Sequence, residues 1–484
     1  MFAKIQRVHF VGIGGIGMSG IAEVLLNLGY KVSGSDLKLS PVTERLGKLG
    51  AQILEGHRAE NVAGAEVVVT SSAIARDNPE VAEAHRGHVP VIQRAEMLAE
   101  LMRLKYGIAV AGMHGKTTTT SMIAAVLAAG GLDPTVVVGG RVDAMGSNAR
   151  LGKSQYLVAE ADESDRSFLK LSPILAVVTN LDREHMDCYR DMRDVMRVFR
   201  DFIERLPFYG MAIVCNDDTR LRKLLPRLSR RAVTYGTRPD SDFCVNCRPQ
   251  DRGKGSDGPL SRFSVRYRGK SLGDFELHVP GAHNVLNATA AVAVGVGLDI
   301  PAEKIREALA HFRGVDRRFQ TKGSAAGVTL IDDYGHHPTE IRATLRAARE
   351  CGFERVHVVF QPHRYTRTQL LLEDFATAFA DADSVFVLDI YAASEAPIPG
   401  VTGEALARRI QEAGGKDAVY LASFAEGAEA ISKLARPGDM VLTLGAGNVS
   451  HLGPQILERL GQRSPAVARS KEHPERSEGT LPPA

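Results

Sequence analysis

An alternation of short apolar runs with longer helical runs, repeated along nearly the whole chain, is the feature that most constrains the fold. The short runs are rich in Val and Ile, end in small or polar residues, and are Val8–Ile13, Val67–Ser71, Ile108–Gly112, Tyr156–Glu160, Ala176–Asn180, Ala212–Asn216, Val328–Asp333, Val356–Gln361, Ser384–Asp389 and Met440–Gly445. Strands that alternate with helices form parallel sheets, so the pattern predicts an α/β fold. Ligands of such sheets bind beyond the carboxyl ends of the strands. The polar residues at those ends are therefore the first candidates for chemistry.

Glycine-rich loops and helical runs divide the chain into blocks. The 484 residues correspond to roughly three domains at about 150 residues each. We predict domains at residues 1–103, 104–313 and 314–460, followed by a disordered polar tail at 461–484. We predict helices at Arg94–Leu104, at Ser121–Ala129, at Ala302–Phe312, and in a run that starts at about Asn284. We predict an exposed loop at Arg248–Gly258.

Composition excludes several classes of protein. Lys plus Arg number 60 and Asp plus Glu number 57, so the net charge of +3 argues against a protein that coats nucleic acid. A membrane span is not expected, because no run of about 18 apolar residues occurs. The 5 cysteines are too few for a disulfide scaffold, and Cys244 and Cys247 are expected to be reduced thiols. Glycines interrupt the apolar stretch after Lys4 and Arg7, so we expect no secretory signal and a cytoplasmic location.

The first glycine-rich loop has the pattern G-x-G-x-x-G between a strand and a helix. It comprises Gly12, Gly14, Gly15 and Gly17, and Asp36 ends the next predicted strand, 19 residues after Gly17. Such glycines let a diphosphate approach backbone N–H groups at a helix N-terminus. The pattern indicates a nucleotide that contains a diphosphate, with a nicotinamide cofactor as the default, and simple strand–helix packing as the alternative.

The second glycine-rich loop predicts an ATP phosphate site. It reads Gly112-Met113-His114-Gly115-Lys116-Thr117-Thr118 between a strand and a helix. The backbone can surround phosphates, the lysine ammonium can reach their β and γ oxygens, and the hydroxyl of Thr117 can bind magnesium. Val110 stands where the usual eight-residue pattern has its first glycine. The strand–loop–helix context favours the phosphate site over a packing loop.

Acidic, amide and imidazole groups follow later strands. Glu160 and His185 are candidate magnesium ligands, although magnesium prefers oxygen; a solvated acidic loop and a locally bonded histidine are the alternatives. Asn284 and Asn287, three residues apart on one helix face, can read an adenine edge or cap the helix. In the third block, Asp332–Pro338 follows a strand, with Pro338 placed to begin a helix.

The third block also carries an arginine pair. Arg364 and Arg367 are three residues apart at a predicted strand-to-helix turn, after His363. Their planar guanidinium groups suit a carboxylate or phosphate. An exposed basic turn is the alternative.

These motifs, in this order, resemble the Mur ligases, the ATP-dependent amino-acid ligases of peptidoglycan synthesis. The resemblance covers about residues 5–455. It implies an α/β chain of three domains: an N-terminal Rossmann-like domain for a UDP-sugar, a central P-loop ATPase-type domain, and a C-terminal Rossmann-like domain. Within the family, the segments Gly12–Gly17, Asp332–Pro338 and Gln361–Thr368 are similar to those of the member that joins L-alanine to UDP-N-acetylmuramate.

The resemblance also implies a reaction. ATP phosphorylates the muramoyl carboxylate, L-alanine attacks the acyl phosphate, and ADP and phosphate leave. The expected partners are these small molecules with Mg²⁺, and no nucleic acid or membrane; the protein is a monomer or homodimer. His185, His336 and Asp333 are candidate acceptors of the proton from the alanine ammonium.

Site residues follow from the same resemblance. The catalytic candidates are Lys116, His185, His336 and Arg364. The ATP candidates are Gly112, Met113, His114, Gly115, Lys116, Thr117, Thr118, His283, Asn284, Asn287, and Arg317 or Arg318 closing over ATP from the domain junction. The UDP-sugar candidates are Gly14, Gly15, Ile16, Gly17, Ser19, Asp36, Ser71, Ser72 and His336. The candidates for the carboxylate and L-alanine are His363, Arg364 and Arg367, and those for the metal are Thr117, Glu160 and His185.

Three rival interpretations can be tested. A nicotinamide-dependent dehydrogenase would use the first loop but leaves the lysine loop without a role. A recycling ligase of the same family would join a tripeptide to the same UDP-sugar. Gly335 and the segment Gln361–Thr368 favour a single alanine as the amino-acid substrate instead. A nucleotide-regulated binding module would show no turnover.

Overall fold

The computed structural model describes residues 5–71, 73–75, 77–142, 147–248, 260–414 and 417–462. Ser72, most of the predicted loop at Arg248–Gly258 and nearly all of the predicted tail lie outside these ranges. By their contacts the described residues form two compact units, one reaching to Gln320 and including Ala343–Gly352, the other comprising Thr321–Arg342 and the residues from Phe353. A search of the described helices found none with the length and hydropathy of a membrane span.

The first unit begins with a parallel sheet. Its strands are β1 (Arg7–Val11), β2 (Lys31–Asp36), β3 (Gln52–Glu55), β4 (Val67–Thr70) and β5 (Val91–Gln93), in the order β3-β2-β1-β4-β5. Its helices are α1 (Ile16–Asn27), α2 (Pro41–Lys48), α3 (Pro79–Arg86) and α4 (Arg94–Arg103). Central β1 is buried from Val8 onward, as expected for a strand covered on both faces. This order and the loop after β1 agree with a Rossmann-like domain.

The same unit contains a second, larger sheet. Its strands are β6 (Tyr106–Ala111), β7 (Thr135–Val142), β8 (Ser147–Arg150), β9 (Tyr156–Glu160), β10 (Leu175–Val178), β11 (Met211–Cys215), β12 (Ala232–Gly236), β13 (Phe243–Cys247), β14 (Ser261–Tyr267) and β15 (Lys270–Leu277). Their order is β15-β14-β13-β12-β11-β10-β6-β9-β7-β8. Strands β6 and β9 to β13 run parallel with their neighbours in this part of the sheet, and the hairpins β7–β8 and β14–β15 are antiparallel.

Buried helices pack on this second sheet. The helices are α5 (Lys116–Ala129), α6 (Met192–Glu204), α7 (Thr219–Leu224), α8 (Ala282–Gly297) and α9 (Ala302–His311). A methyl group on Gly295 of α8 would lie 2.8 Å from Val126 of α5 and from Ile305 of α9. The glycine therefore permits the close approach of these helices, which positions the start of α8 beside the start of α5.

The third sheet belongs mainly to the second unit. Its strands are β16 (Gln320–Ala325), β17 (Val328–Asp333), β18 (Val356–Phe360), β19 (Ser384–Val387), β20 (Ala418–Tyr420) and β21 (Met440–Leu444), in the order β16-β17-β21-β18-β19-β20. The associated helices are α10 (Pro338–Glu350), α11 (Tyr365–Leu370), α12 (Leu372–Ala376), α13 (Gly403–Gly414), α14 (Phe424–Leu434) and α15 (Leu452–Gly461). Short 3-10 turns lie elsewhere at Ala59–Val62, Ser167–Lys170, Leu225–Arg227 and Val449–His451.

The predicted α/β class with three sheet-based domains is confirmed. All ten predicted runs form strands, and in most of them the polar residue at the end of the run follows the strand rather than belonging to it. One helix differs from its prediction, because α5 begins at Lys116 and not at Ser121. All five cysteines are described and free, as expected.

Candidate active site

The second glycine-rich loop joins β6 to α5 in a conformation that requires glycine at two positions. Gly112 and Gly115 have φ angles of +136° and +82°. A methyl group at Gly112 would overlap Oγ1 of Thr179, and one at Gly115 would lie 2.7 Å from Oδ1 of Asn287. The turn therefore brings the loop backbone against Thr179, which follows β10, and against Asn287, near the start of α8.

Two residues after β10 hold this loop at His114. Oγ1 of Thr179 and Nδ2 of Asn180 both donate to the carbonyl oxygen of His114, at 2.7 and 3.0 Å. The N–H of His114 donates in turn to Oδ1 of Asn180 at 2.9 Å. The loop is thus fixed by three hydrogen bonds before any nucleotide binds, which lowers the entropic cost of ordering it around phosphates.

Lys116 is the first residue of α5, and its ammonium group is surrounded by acceptors. Nζ donates to the carbonyl oxygens of Gly112 and Met113, at 2.7 and 3.2 Å, and to Oε1 of Glu163 at 2.7 Å. Burial acts to lower the pKa of Lys116, but the charge of Glu163, followed by those of Glu184 and Glu160, raises it above its ordinary value. The lysine is therefore a permanent cation at the loop.

An oxygen-rich cluster surrounds this cation. Glu163 is almost fully buried, and its Oε2 has no hydrogen-bond partner within the described part of the chain. Nε2 of His185 lies 3.5 Å from Oε1 of Glu163, and His185 itself has a φ of +55°. Glu160 ends β9 close enough to raise the pKa of Lys116. A buried carboxylate oxygen without a partner, beside further carboxylates, has the chemistry of a site for a hard divalent cation.

The start of α8 contacts the loop at Gly115, where a methyl group would lie 2.7 Å from Oδ1 of Asn287. Nδ2 of Asn284 donates to the carbonyl oxygen of Pro280 at 2.7 Å, and Nδ2 of Asn287 donates to Oδ1 of Asn284 at 3.2 Å. Asn284 therefore bonds to the chain entering the helix, and Asn287 faces Gly115. The ring of His283 lies against Gly281. An adenine contact by either asparagine remains a prediction.

The remaining ATP candidates lie after α9. Arg317 has a φ of +57°, and its N–H donates to Oε1 of Gln320 at 3.1 Å. Arg318 is half-buried beside it. Their closure over ATP remains a prediction.

The first glycine-rich loop is bound to the end of β2. The N–H groups of Gly12 and Ile13 both donate to the carbonyl oxygen of Ser35 at 2.9 Å, and the N–H of Gly14 donates to Oδ2 of Asp36 at 2.8 Å. Asp36 thus fixes the loop that precedes α1. Gly15 is the N-cap of α1 and offers no side-chain acceptor to the helix N–H groups, which is the arrangement that favours a bound anion.

The other UDP-sugar candidates lie near this loop in the sequence or on the neighbouring strand. Ser19 is buried in α1, and Ser71 is half-buried at the end of β4. Ile16 begins α1, but its side chain lies outside the described part of the structure, as does Ser72. Their roles remain predictions.

In the second unit, the residues after β17 are held by their own helix. The N–H groups of His336 and His337 donate to Oε2 of Glu340, at 3.0 and 3.3 Å, at the start of α10. Oδ1 of Asp332 accepts a 2.6 Å hydrogen bond from Oγ1 of Thr443 in β21, so this carboxylate links two neighbouring strands of the sheet. The cap leaves the ring of His336 beside that of His363, with centroids 5.7 Å apart.

His363 is held as a neutral acceptor. Nη1 of Arg367 donates to Nδ1 of His363 at 3.0 Å, and the ring of Tyr391 stacks on His363 with centroids 5.7 Å apart. Burial, followed by the neighbouring His336 and Arg367, lowers the pKa of His363 to about 3. A neutral ring that accepts at Nδ1 carries its proton on Nε2, so His363 presents a donor there.

Arg364 precedes α11 and forms an ion pair. It has a φ of +72°, and its Nε lies 2.8 Å from Oε1 of Glu395. The sequence therefore brings Arg364, Arg367, His363 and His336 to one edge of the third sheet, as their position after strands predicts.

Several residues that hold the candidate site residues in place are not predicted from the sequence. Glu163 holds Lys116, Glu395 holds Arg364, and Glu340 caps α10. Gly447 belongs to a turn after β21 where a methyl group would approach Oε1 of Gln361 and the ring of Tyr391. Each of these residues follows or faces the end of a strand. The sequence alone does not show which distant residue each of them contacts, because contacting residues that are far apart in the chain share no local sequence pattern.

Family profiles match most of the chain. The profile described as "Mur ligase family, catalytic domain" matches residues 7–106, "Mur ligase middle domain" matches 110–295, and "Mur ligase, glutamate ligase domain" matches 317–447. The chain belongs to the Mur ligase family. The predicted family is thereby confirmed.

Individual Mur ligases are similar in sequence to this chain over nearly all of its length. The UDP-N-acetylmuramate--L-alanine ligase of Koribacter versatilis is 72% identical over 96% of this chain and 100% of its own, and that of Acidobacterium capsulatum is 65% identical over the same shares. Among solved structures, the UDP-N-acetylmuramate-alanine ligase of Thermotoga maritima is 31% identical, covers 94% of this chain and 98% of its own, and has a TM-score of 0.78. A murein peptide ligase from Psychrobacter arcticus, at 23% identity and a TM-score of 0.67, shares the fold.

Proposed function

We propose that this chain is an ATP-dependent ligase that joins L-alanine to the carboxylate of UDP-N-acetylmuramate, giving ADP and phosphate, in peptidoglycan precursor synthesis. The observation that carries the proposal is the 72% identity, over 96% of the chain, to a relative whose name states these two substrates. The loop at Lys116 supplies the matching chemistry.

The first half of the reaction concerns the ATP phosphates. A carboxylate is a poor electrophile, because attack by an amine would have to expel oxide. Transfer of the γ-phosphoryl group to a carboxylate oxygen releases ADP and creates an acyl phosphate, whose leaving group is good. In this half of the reaction, Lys116 and the N–H groups at the start of α5 would stabilise the negative charge on the phosphate oxygens.

Magnesium belongs to the same step. The residues that would hold it are Thr117, Glu160 and His185, and we add Glu163 because its buried Oε2 lacks a hydrogen-bond partner in the described structure. When bound, Mg²⁺ neutralises charge on the phosphate oxygens. Lys116 would then exchange part of its contact with Glu163 for the phosphates.

The second half requires an amino acid held by its own carboxylate. Arg364 and Arg367 offer guanidinium groups suited to that carboxylate, and His363 and His336 lie beside them. The free amine of L-alanine attacks the carbonyl carbon, the amide bond forms, and phosphate leaves with the former carboxylate oxygen. The candidate acceptors of the ammonium proton are His185, His336 and Asp333, of which Asp333 accepts a 2.7 Å hydrogen bond from the N–H of Gly335.

Each predicted domain then has one role in the reaction. We assign the UDP-sugar to residues 1–103, ATP to 104–313 and the ligase function to 314–460. Both nucleotide substrates are metabolites of the cytoplasm, so we place the reaction there.

A substrate panel tests this function. Purified protein is incubated with ATP, Mg²⁺, UDP-N-acetylmuramate and one of L-alanine, glycine, L-serine or the L-Ala-γ-D-Glu-meso-diaminopimelate tripeptide, and phosphate release is measured. We expect release that requires the UDP-sugar and is fastest with L-alanine. A small pocket separates one methyl group by only about 1–3 kcal/mol, so slower turnover of glycine is expected. Preference for the tripeptide would favour the recycling ligase, and no release with any of them would overturn the proposal.

A further inference from the structure

Arg94 lies between the two glycine-rich loops. It is the first residue of α4, and a methyl group placed on Gly17 would overlap its Nη1 and lie 3.0 Å from its Cδ. On the opposite edge of the same guanidinium group, Nη2 donates to Oδ2 of Asp162 at 2.6 Å. One planar side chain therefore covers the N-terminus of α1 and contacts the segment after β9.

The Asp162 side of this contact leads to the lysine loop. Oδ1 of Asp162 accepts hydrogen bonds from both the N–H and the hydroxyl of Ser164, at 3.1 and 2.6 Å, so its carboxylate is fixed in position. The next residue, Glu163, holds Nζ of Lys116 at 2.7 Å. The contact joins the guanidinium group of Arg94 to a carboxylate at 2.6 Å, so it is an ion pair.

A second tether joins the same elements. Nζ of Lys170 donates to Oε1 of Gln93 at 2.7 Å and lies 3.1 Å from Oε1 of Glu96. Lys170 ends the 3-10 turn that follows Asp162, and Gln93 precedes Arg94. Lys170 therefore provides a second link between the start of α4 and the acidic segment, in addition to the ion pair of Arg94 with Asp162.

We propose that Arg94 binds the anionic part of the UDP-sugar at the first loop and, through Asp162, couples occupancy of that site to the lysine loop. A guanidinium group has five N–H donors in a planar fork and can bind two anions at once. Nη1 faces the first loop and Nη2 holds Asp162, so the side chain is oriented for both. This inference rests on the proposed function for the identity of the two ligands.

The coupling has a thermodynamic form. If a bound UDP-sugar fixes Arg94, it also fixes Asp162 and Glu163, which hold the cation that binds ATP phosphates. Binding of either ligand then strengthens binding of the other by the same factor, since linkage is reciprocal. Arg94 is a binding residue toward the UDP-sugar and a positioning residue toward Lys116.

Calorimetry tests both parts. The dissociation constant of UDP-N-acetylmuramate is measured with and without a saturating non-hydrolysable ATP analogue and Mg²⁺, for wild type, Arg94→Ala, Arg94→Lys and Asp162→Asn. We expect wild-type coupling of about fivefold or more. Arg94→Ala should weaken UDP-sugar binding about tenfold or more, as loss of a hydrogen bond to a charged group does. Arg94→Lys should recover part of that affinity but not the coupling, and Asp162→Asn should bring the coupling close to one.

Controls separate these outcomes from simpler ones. Arg103→Ala removes an exposed arginine at the other end of α4, which pairs with Glu100 at 3.0 Å, and should leave both quantities unchanged. The inference is overturned if wild type shows no coupling, if folded Arg94→Ala binds UDP-sugar within twofold of wild type, or if Asp162→Asn keeps the coupling. If Arg94→Ala does not fold, unchanged affinity and coupling in Arg94→Lys overturns it. Failure of the proposed function would differ, because it would appear as missing L-alanine-dependent phosphate release by wild type in the substrate panel, whatever the binding constants of the variants.

Discussion

At the scale of single residues, the charge of Lys116 is the property on which phosphate transfer depends. The carboxylate of Glu163 and two loop carbonyls keep the ammonium protonated and aimed at the loop. Lys116→Ala removes the ammonium group that Glu163 and these carbonyls hold. We expect at least a 100-fold loss of ATP-dependent phosphate release, the range seen when one such charge-stabilising donor is removed, with UDP-sugar binding in the absence of ATP nearly unchanged.

Steady-state phosphate assays and calorimetry check this prediction. Lys304→Ala, which removes an exposed lysine of α9 that pairs with Glu307, serves as the control. Turnover of Lys116→Ala close to that of wild type would remove this lysine from the mechanism.

The carboxylate of Glu160 tests the metal assignment. Glu160→Gln keeps the shape of the side chain but removes one negative oxygen ligand. We expect a higher Mg²⁺ concentration for half-maximal activity, because Mg²⁺ binding weakens with loss of ligand charge. The measurement is a Mg²⁺ titration of phosphate release at fixed ATP, with Glu276→Gln, which changes an exposed residue of β15, as control. An unchanged titration midpoint would count against Glu160 as a ligand.

His363 makes stability depend on pH. Burial and its neighbours lower the folded-state pKa of His363 to about 3, whereas an unfolded histidine titrates near 6.5. Between these values the unfolded state binds a proton that the folded state does not, so the stability from His363 is present above about pH 6.5 and is lost as pH falls toward 3. We expect the melting temperature to fall less steeply over this range in His363→Gln than in wild type.

Scanning calorimetry from pH 7 to 4 supplies the measurement. His311→Gln changes an exposed histidine of α9 and should retain the wild-type slope. Equal slopes in His363→Gln and wild type would show that His363 titrates normally.

At the scale of secondary-structure elements, the turn before α5 positions the ATP candidates. Gly115 has a φ of +82° and faces Oδ1 of Asn287. Gly115→Ala introduces backbone strain of about 1–3 kcal/mol and a close contact with α8. We expect the dissociation constant of ATP to rise about tenfold or more while circular dichroism stays unchanged.

Gly47→Ala provides the matched control for that substitution. Gly47 lies within α2, and a methyl group there would meet only Cγ1 of Ile53, at an ordinary 3.8 Å. ATP binding by Gly47→Ala should equal that of wild type. If Gly115→Ala also bound ATP normally, the turn would not determine the site.

The elements that the sequence predicted are those with strong local patterns. Runs such as Val8–Ile13 and Val356–Gln361 are buried strands, because a parallel strand covered on both faces must be continuously apolar. The prediction for the start of α5 is wrong because the helix begins with Lys116-Thr-Thr-Thr-Thr, and β-branched threonines favour helices only weakly. Packing against α8 overrides that preference. Short strands with exposed positions, such as β5 and β16, carry little apolar periodicity and were not predicted.

The candidate site shows a similar division. Lys116, Glu160 and His185 can be predicted as site residues because glycine-rich loops and strand ends are local in sequence. Arg94 cannot, because its partners Gly17 and Asp162 lie 77 and 68 residues away, and only the folded chain brings them to one guanidinium group. Spacing can therefore predict which loops bind ligands, but the residues that connect these loops are visible only in the structure.

At the scale of the whole molecule, each sheet places one set of polar residues beyond its strand ends. Gly12–Gly17 follows β1, Gly112–Lys116 follows β6, and His363–Arg367 follows β18. Three such edges match a reaction that needs a UDP-sugar, ATP and an amino acid. The family match across residues 7–447, with gaps only between its three profiles, indicates that all three edges belong to one enzyme.

The central claim is that a carboxylate is activated by direct phosphorylation, and isotope transfer measures it. UDP-N-acetylmuramate labelled with ¹⁸O in both carboxylate oxygens is incubated with the protein, ATP, Mg²⁺ and L-alanine, and the products are analysed by mass spectrometry. Our account predicts ADP together with inorganic phosphate that carries one ¹⁸O per turnover, the second label remaining in the amide. Pyrophosphate with ¹⁸O-labelled AMP, or unlabelled phosphate, would contradict it.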